Sequence, residues 1–156
     1  MGTSLQEGQP APDFQLPTDG GGSVKLSDLR GAMAVVYFYP KDDTPGCTIE
    51  ANDFTRLKPD FDAIGARIIG ISADSVSDHD QFKEKYSLDL TLAADEKREA
   101  IDSYGVWVEK NRDGRTFMGI ERATFLVDAD GNLARIWRSI DARGHAEDVL
   151  EAAKTL

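Results

Sequence analysis

Hydrophobic and polar positions alternate in blocks that predict strands and helices in turn along the chain. Residues 35–39 form a continuous run of β-branched and aromatic side chains, which predicts a strand buried on both faces. Pro and Gly then interrupt the run, and from Thr48 onward Ile49, Phe54 and Leu57 have spacings that suit one side of a helix. A strand–loop–helix junction is therefore predicted at residues 40–47.

A second apolar run at residues 67–72 predicts another buried strand after this helix. Pro59 lies inside the intervening helical pattern and predicts a kink or a restart around Lys58. Strand, helix and strand in this order predict a right-handed βαβ unit, so the sheet is expected to be at least partly parallel.

The flanking segments predict two hairpins and further helices. Alternating apolar residues on either side of Gly20–Gly22 predict a short N-terminal edge hairpin. The turn at residues 128–131 predicts an antiparallel hairpin of 123–127 with 133–137, and it lacks the closing Glu of a calcium loop. Helices are predicted at residues 77–87, 95–104 and 144–156, which together give an α/β architecture.

Two histidines fall in the first turns of predicted helices. His79 follows a capping-box spacing formed by Ser77 and Asp80, and His145 lies near the start of the C-terminal helix. His79 has no second His, Cys or paired carboxylates nearby in a recognisable constellation, which argues against a catalytic or ligand role. We expect both imidazoles to face solvent.

Composition restricts the class of protein. A chain of 156 residues with 40% hydrophobic and 29% charged residues is expected to fold as one globular domain, residues 1–156. The net charge of −10 disfavours nucleic acid and anionic membrane as partners. No apolar run is long enough to cross a membrane, and residues 1–9 lack the features of a secretory signal, so we expect a cytoplasmic protein.

The single cysteine, Cys47, is the main candidate for chemistry. Backbone N–H groups and the positive end of the dipole at a helix N-terminus stabilise a thiolate, which is the nucleophilic form. A lone cysteine is more often a small buried hydrophobe, but such a residue is expected within an apolar run. Cys47 instead lies between Gly46 and Thr48 after a turn rich in Pro and Asp, which favours a reactive thiol.

Several segments in order resemble one family. Pro40, Thr44 and Cys47 fit the Pro-x-x-x-Thr/Ser-x-x-Cys pattern of peroxiredoxins, and residues 38–50 are similar to the bacterioferritin-comigratory, or Q-type, subfamily. Family-like segments also occur in the corresponding order at residues 11–14, 70–72, 104–107 and 122–128. The resemblance covers almost the whole chain.

This resemblance implies a thioredoxin-like α/β fold, with a mixed central sheet flanked by helices, and a thiol peroxidase that needs no cofactor or metal. Cys47 would attack hydrogen peroxide or an organic hydroperoxide and become a sulfenic acid. Thr44 would orient the peroxide, Pro40 would shield the pocket, and Arg122 would stabilise the negative charge. Without the resemblance, Arg122 would not stand out from Arg112 or Arg115.

The chain departs from many members of the subfamily at the resolving cysteine. Asn52 occupies one position where that cysteine occurs, and residues 76–86, the other region, contain none. The chain thus resembles a one-cysteine member that depends on an external thiol, such as thioredoxin, glutaredoxin or glutathione. We expect a monomer or weak homodimer.

The alternative to a peroxidase is a redox sensor or mixed-disulfide binding protein on the same fold, in which Cys47 reacts slowly.

Overall fold

The computed structural model describes residues 5–156, so the expectation for residues 1–9 lies partly outside the described part. The strands and helices are, in chain order, β1 (Gln15–Pro17), β2 (Ser23–Lys25), β3 (Met33–Phe38), α1 (Pro45–Ala63), β4 (Ala66–Ser72), α2 (Val76–Tyr86), β5 (Thr91–Ala94), α3 (Glu99–Ser103), β6 (Trp107–Arg112), β7 (Arg115–Ile120), β8 (Ala123–Val127), β9 (Leu133–Trp137) and α4 (His145–Lys154). In this part of the chain, no helix is both long and apolar enough to cross a membrane.

A five-stranded mixed sheet in the order β5-β4-β3-β8-β9 forms the centre of the fold. β3 runs parallel to β4, and β4 runs parallel to β5, which confirms the predicted parallel pairing around α1. β8 runs antiparallel to β3 and pairs with β9 in the predicted antiparallel hairpin. Because β3 and β8 run in opposite directions, the end of β3 meets the beginning of β8, where Phe38 pairs with Ala123.

Both faces of β3 are buried, as its unbroken apolar sequence predicts. Val35 and Tyr37 belong to the core that contains the apolar side chains of α1 and α4. Val36 and Phe38 belong to a second core cluster, which includes side chains from the N-terminal hairpin and α3. The expected mixed sheet flanked by helices is therefore confirmed.

The N-terminal hairpin lies at the periphery of this sheet. β1 and β2 pair antiparallel as a separate two-stranded sheet. A bridge between Thr18 and Ala93 connects the hairpin region to β5, the edge strand of the central sheet. The predicted hairpin is thus present, and it is joined to the sheet at that edge.

The structure differs from three local expectations about helices: the restart that was one alternative at Pro59, the position of the α2 capping box and the length of α3. α1 continues through Pro59 without a restart, because burial of Phe54 and Phe61 on either side outweighs the roughly 3 kcal/mol that an interior proline costs. The capping box of α2 consists of Ser75 and Asp78 rather than the predicted pair two residues later. α3 covers only 99–103, because Asp95 instead caps it by accepting hydrogen bonds from the N–H groups of residues 99 and 101.

Candidate active site

Cys47 lies in the first turn of α1 and is only 1% exposed. Thr44 is the N-cap, and the N–H of Thr48 donates to its carbonyl oxygen at 2.8 Å, so the helical hydrogen bonds begin after the cysteine. The amides of Gly46 and Cys47 therefore belong to the end of the helix whose N–H groups lack intrahelical acceptors. The predicted strand–loop–helix position of the cysteine is confirmed, in a setting that favours negative charge on sulfur.

Arg122 reaches this helix end from the residue directly before β8. Its Nη2 lies 3.4 Å from Cys47 Sγ, and its Nη1 donates to Glu50 Oε1 at 2.8 Å. A Cβ atom on Gly46 would lie 2.8 Å from Arg122 Nη2, so the guanidinium occupies the space that any other side chain at residue 46 would need. The antiparallel pairing of β3 and β8 thus brings together two residues that are distant in sequence.

Glu50 and Arg122 form a buried ion pair beside the sulfur. Glu50 is fully buried, and burial raises the pKa of its carboxyl to about 7, although the charge of Arg122 acts in the opposite direction. Burial works against the charge of Arg122, but Glu50 and Cys47 outweigh it and raise the pKa of the guanidinium. Glu50 Oε2 has no hydrogen-bond partner among residues 5–156. The guanidinium therefore stays charged and points one nitrogen at each of two neighbours.

Thr44 and Pro40 lie in the loop between β3 and α1, and we call residues 40–44 of this loop the catalytic loop. The Thr44 hydroxyl donates to the carbonyl oxygen of Lys41 at 2.8 Å and does not cap the helix with its side chain. Pro40 is half-buried at the start of the loop. Within the described residues, no hydrogen bond joins Thr44 Oγ1 to Cys47 Sγ, so the structure places both candidates on the loop but brings only Arg122 to the sulfur.

The solvent-facing position predicted for His79 is wrong, because this side chain is completely buried. Its Nδ1 lies 2.6 Å from Asp42 Oδ2, and its Nε2 lies 3.0 Å from the carbonyl oxygen of Ala93. Tyr39 donates its hydroxyl to the other oxygen of Asp42 at 2.5 Å. Burial opposes charge on the imidazole, but the hydrogen bond and charge of Asp42 outweigh it and raise the pKa of His79.

The prediction for His145 is also wrong. This histidine is buried at the start of α4, where its Nε2 lies 2.7 Å from Thr124 Oγ1. The rings of Phe54 and Trp137 meet it edge to face, at centroid distances of 6.3 and 5.8 Å. Burial lowers the pKa of this imidazole to about 4, with the charge of Asp148 opposing the shift. His145 is therefore a neutral core residue.

Two functional candidates were missed by sequence reasoning, Glu50 and Asp42. Glu50 fits the pattern of an acidic residue near a helix start, and only its contact with Arg122 shows that it serves the site. Asp42 looks like an ordinary turn residue, and its buried contacts come from Tyr39 and His79. The described residues contain no group of three or more His, Cys, Asp or Glu side chains arranged to hold a metal ion.

The fold is a mixed sheet flanked by helices, and it places a buried thiol beside a guanidinium at a helix N-terminus, an arrangement suited to thiol redox chemistry. Comparisons with known proteins make the class specific. The family model described as AhpC/TSA matches residues 7–136. A putative peroxiredoxin of Coxiella burnetii is 46% identical over 94% of this chain and 97% of its own length. A peroxiredoxin of Bacillus subtilis is 43% identical over 98% of both chains.

Solved structures give the same result. The bacterioferritin comigratory protein of Xanthomonas campestris, studied for its alkyl peroxide reduction activity, superposes with a TM-score of 0.90 at 40% identity, over 96% of this chain and 98% of that one. A Q-type peroxiredoxin mutant of Xylella fastidiosa gives a TM-score of 0.93 at 34% identity, over 99% and 98% of the two chains. The chain belongs to the AhpC/TSA family. The predicted thioredoxin-like fold and the thiol-peroxidase function are confirmed at the level of this family.

Proposed function

We propose that Cys47 is the nucleophile of a peroxidase that reduces hydrogen peroxide and organic hydroperoxides. The thiolate attacks one peroxide oxygen, so that an S–O bond forms as the O–O bond breaks. The electron pair leaves with the other oxygen, which takes up a proton to give water or an alcohol, while Cys47 becomes a sulfenic acid. The observation that carries this proposal is the 3.4 Å contact between Arg122 and the sulfur at the start of α1.

In this proposal Arg122 acts both before and during the attack of the thiolate on the peroxide. Its charge stabilises the thiolate before attack, and it stabilises the negative charge that spreads over the oxygens during attack. Glu50 holds the second guanidinium nitrogen at 2.8 Å and thereby fixes the direction of the first. A planar, permanently charged group suits this role, since it does not lose a proton during the cycle.

Thr44 and Pro40 shape the space above the sulfur in the proposed mechanism. The Thr44 hydroxyl gives its proton to the Lys41 carbonyl, so its oxygen is free to accept a hydrogen bond from the peroxide O–H. Pro40 has no N–H and is half-buried, which lets it cover the pocket without competing for that hydrogen bond. The two residues orient and shelter the peroxide, and Arg122 acts on charge.

We infer that an external thiol completes the cycle. Because the sequence has one cysteine, the sulfenic acid has no internal partner. A first thiol from thioredoxin, glutaredoxin or glutathione attacks Cys47, releasing water and leaving a mixed disulfide. A second thiol attacks that disulfide and restores the Cys47 thiol, with the two reductant sulfurs oxidised to a disulfide.

The cytoplasm, where such thiols are kept reduced, is the compartment we propose for this cycle.

We also propose that the protein is a monomer or weak homodimer. Among residues 5–156, the large hydrophobic side chains that are clearly exposed are Ile49, Phe117, Met118 and Leu156. Such a small set gives little apolar surface for an obligate dimer. Sedimentation of the protein over a range of concentrations tests this, and a stable dimer at the lowest concentration contradicts it.

Stopped-flow oxidation of Cys47 by peroxide, followed by intact mass, tests the proposed chemistry. We expect rapid addition of one oxygen to the wild-type protein and none to Cys47→Ser. Arg122→Met should slow oxidation by roughly 10²-fold, the effect of losing one donor to a developing anion. Arg115→Met, which removes an exposed arginine of β7, is the matched control and should leave the rate unchanged.

Two results would contradict the proposal. Cys47→Ser retaining peroxide-dependent oxidation of a thiol donor would exclude Cys47 as the nucleophile. Wild-type oxidation no faster than that of an ordinary free thiolate would instead support the redox-sensor alternative. Regeneration of the thiol by glutathione or by a thioredoxin, measured separately, identifies the class of reductant.

A further inference from the structure

We propose that His79 is a positioning residue for the peroxidase reaction. The imidazole holds Asp42 in place and thereby fixes the catalytic loop, which carries Thr44 and leads into Cys47. This inference rests on the proposed function of Cys47. His79 lies in α2, outside the catalytic loop, and touches the loop through a single carboxylate. It therefore acts on the sulfur only through the backbone of the loop.

The contacts of the imidazole define its protonation. A carbonyl oxygen can only accept, so the Nε2 that faces the Ala93 carbonyl at 3.0 Å carries a hydrogen. Nδ1 faces a carboxylate oxygen at 2.6 Å, and a second proton must lie between these two atoms. His79 and Asp42 thus share a proton in a buried pair with both ring nitrogens satisfied. A side chain that is merely tolerated in a core would not need two acceptors placed in this way.

Asp42 is held on three sides in the middle of the loop. Its side chain accepts from Tyr39 at 2.5 Å and pairs with His79 at 2.6 Å. Its backbone N–H donates to Asp74 Oδ2 at 2.8 Å, and that carboxylate also accepts from Ser72 Oγ at 2.7 Å. These contacts anchor one loop residue to the residue that follows β3, to α2 and to the end of β4. The path of the loop from Pro40 to the start of α1 is therefore fixed from its buried side.

The charge of the pair gives the anchor a defined pH dependence. The titratable groups that face His79 are Asp42 from the loop, Tyr39 from the segment after β3, and Asp74 from the segment after β4. The raised pKa of His79 means that the pair is fully formed below the ordinary histidine pKa and is lost as the pH rises through the folded value. Loosening of the loop is expected on the alkaline side.

The test compares His79→Gln, Asp42→Asn and the double variant with wild type by stopped-flow oxidation of Cys47. Misplacing a reacting group by about 1 Å can reduce a rate 10²-fold, so we expect each single variant to be slower by roughly 10- to 100-fold. The double variant should be no slower than the slower single variant, because both changes break one connection. The decline of the wild-type rate at alkaline pH should disappear in His79→Gln.

Lys83→Met is the matched control. Lys83 is also in α2, and its Nζ lies 2.6 Å from Asp19 Oδ2, so its loss removes an α2 ion pair that does not involve the catalytic loop. This variant should keep the wild-type rate and pH profile. A loss of rate in Lys83→Met equal to that in His79→Gln would show a general effect of α2 and overturn the proposal.

Hydrogen exchange of the loop amides separates this proposal from the proposed function. His79→Gln and Asp42→Asn should exchange faster at the amides of residues 41–44, 46 and 47, whether or not wild-type Cys47 proves to be a fast nucleophile. If either variant fails to fold, Tyr39→Phe removes one anchor of Asp42 without removing a charge and should show the same changes to a smaller extent. Folded variants with wild-type loop exchange, oxidation rate and pH profile would overturn the role of His79.

Discussion

His79 and His145 are two buried histidines in the first turns of two helices, and the protein gives them opposite electrostatic states. His79 has acceptors at both ring nitrogens, one of them a carboxylate, and its pKa is raised. His145 has a threonine hydroxyl at one nitrogen and aromatic rings around it, and its pKa is lowered to about 4. Burial disfavours charge on both rings, so the difference comes from their hydrogen-bond partners.

This difference separates two kinds of polar core residue. The pair of His79 and Asp42 replaces the hydration of two charges, and loss of one member leaves the other charged and buried. The pair of His145 and Thr124 is neutral, and loss of one member leaves only a hydrogen bond unmade. The first region is expected to be sensitive to mutation and to alkaline pH, and the second to acid.

The largest expected effect is that of His79→Leu on the free energy of unfolding. Breaking a buried ion pair by removing one partner costs about 3–5 kcal/mol, because Asp42 remains buried without its counter-charge. Urea denaturation at pH 7 measures the loss. His145→Leu is the matched control, with an expected loss of only about 1–2 kcal/mol. Equal losses for the two variants would remove the distinction drawn between the two histidines.

The second prediction concerns the loss of folding stability at acid pH that is caused by protonation of His145. Because the folded pKa of His145 is about 4 and its ordinary value is 6.5, the unfolded state binds the proton first. Stability should therefore fall by about 3 kcal/mol as the pH decreases from 6.5 towards 4. Glu50, whose pKa is about 7, contributes a slope of opposite sign, so the quantity to measure is the difference between wild type and His145→Leu at each pH. A difference independent of pH would contradict a neutral His145.

Tyr39→Phe should have the next largest effect, a loss of about 2 kcal/mol of unfolding free energy. The change removes the hydroxyl that donates to Asp42 at 2.5 Å, and hydrogen bonds to charged groups are worth about 1.5–3 kcal/mol. Tyr86→Phe is a close control, because its hydroxyl donates to Asp43 at the same distance on the exposed surface. Thermal or urea unfolding should show a clearly smaller loss there, and similar losses would contradict a special role for the buried carboxylate.

The smallest expected effect is that of Thr124→Val, about 1 kcal/mol. Valine keeps the shape of threonine but leaves His145 Nε2 without its partner, the loss of one neutral hydrogen bond. Urea denaturation measures it, with the exposed Thr116→Val of β7 as the control. A loss as large as that of His79→Leu would show that the His145 region carries charge after all.

Local pattern predicts the framework of this fold well. The apolar run of β3, the helix after Cys47 and the hairpin of β8 with β9 follow from hydrophobic spacing and turn residues, and the structure confirms them. The passage of α1 through Pro59 does not follow from pattern. It depends on the packing of Phe54 and Phe61 against the sheet, which a local rule about proline does not include.

The site is predictable only in part, and the reason is sequence separation. Cys47 stands out from its own neighbours, whereas Arg122, which is 75 residues away, is found only through the family resemblance. A polar residue in the first turn of a helix usually faces solvent, and the sequence therefore predicts exposed side chains for both histidines. Their burial depends on Asp42 and Thr124, 37 and 21 residues away, and no spacing rule connects such partners.

The antiparallel pairing of β3 with β8 also has a consequence during synthesis of the chain. Cys47 leaves the ribosome long before Arg122, and the guanidinium reaches the sulfur only when β8 has paired beside β3. Until then the thiol lies at the N-terminus of its helix without the Arg122 guanidinium beside it. An incomplete chain is therefore expected to contain the proposed nucleophile without the arginine that would stabilise its thiolate, so the proposed activity should appear only after β8 has paired with β3.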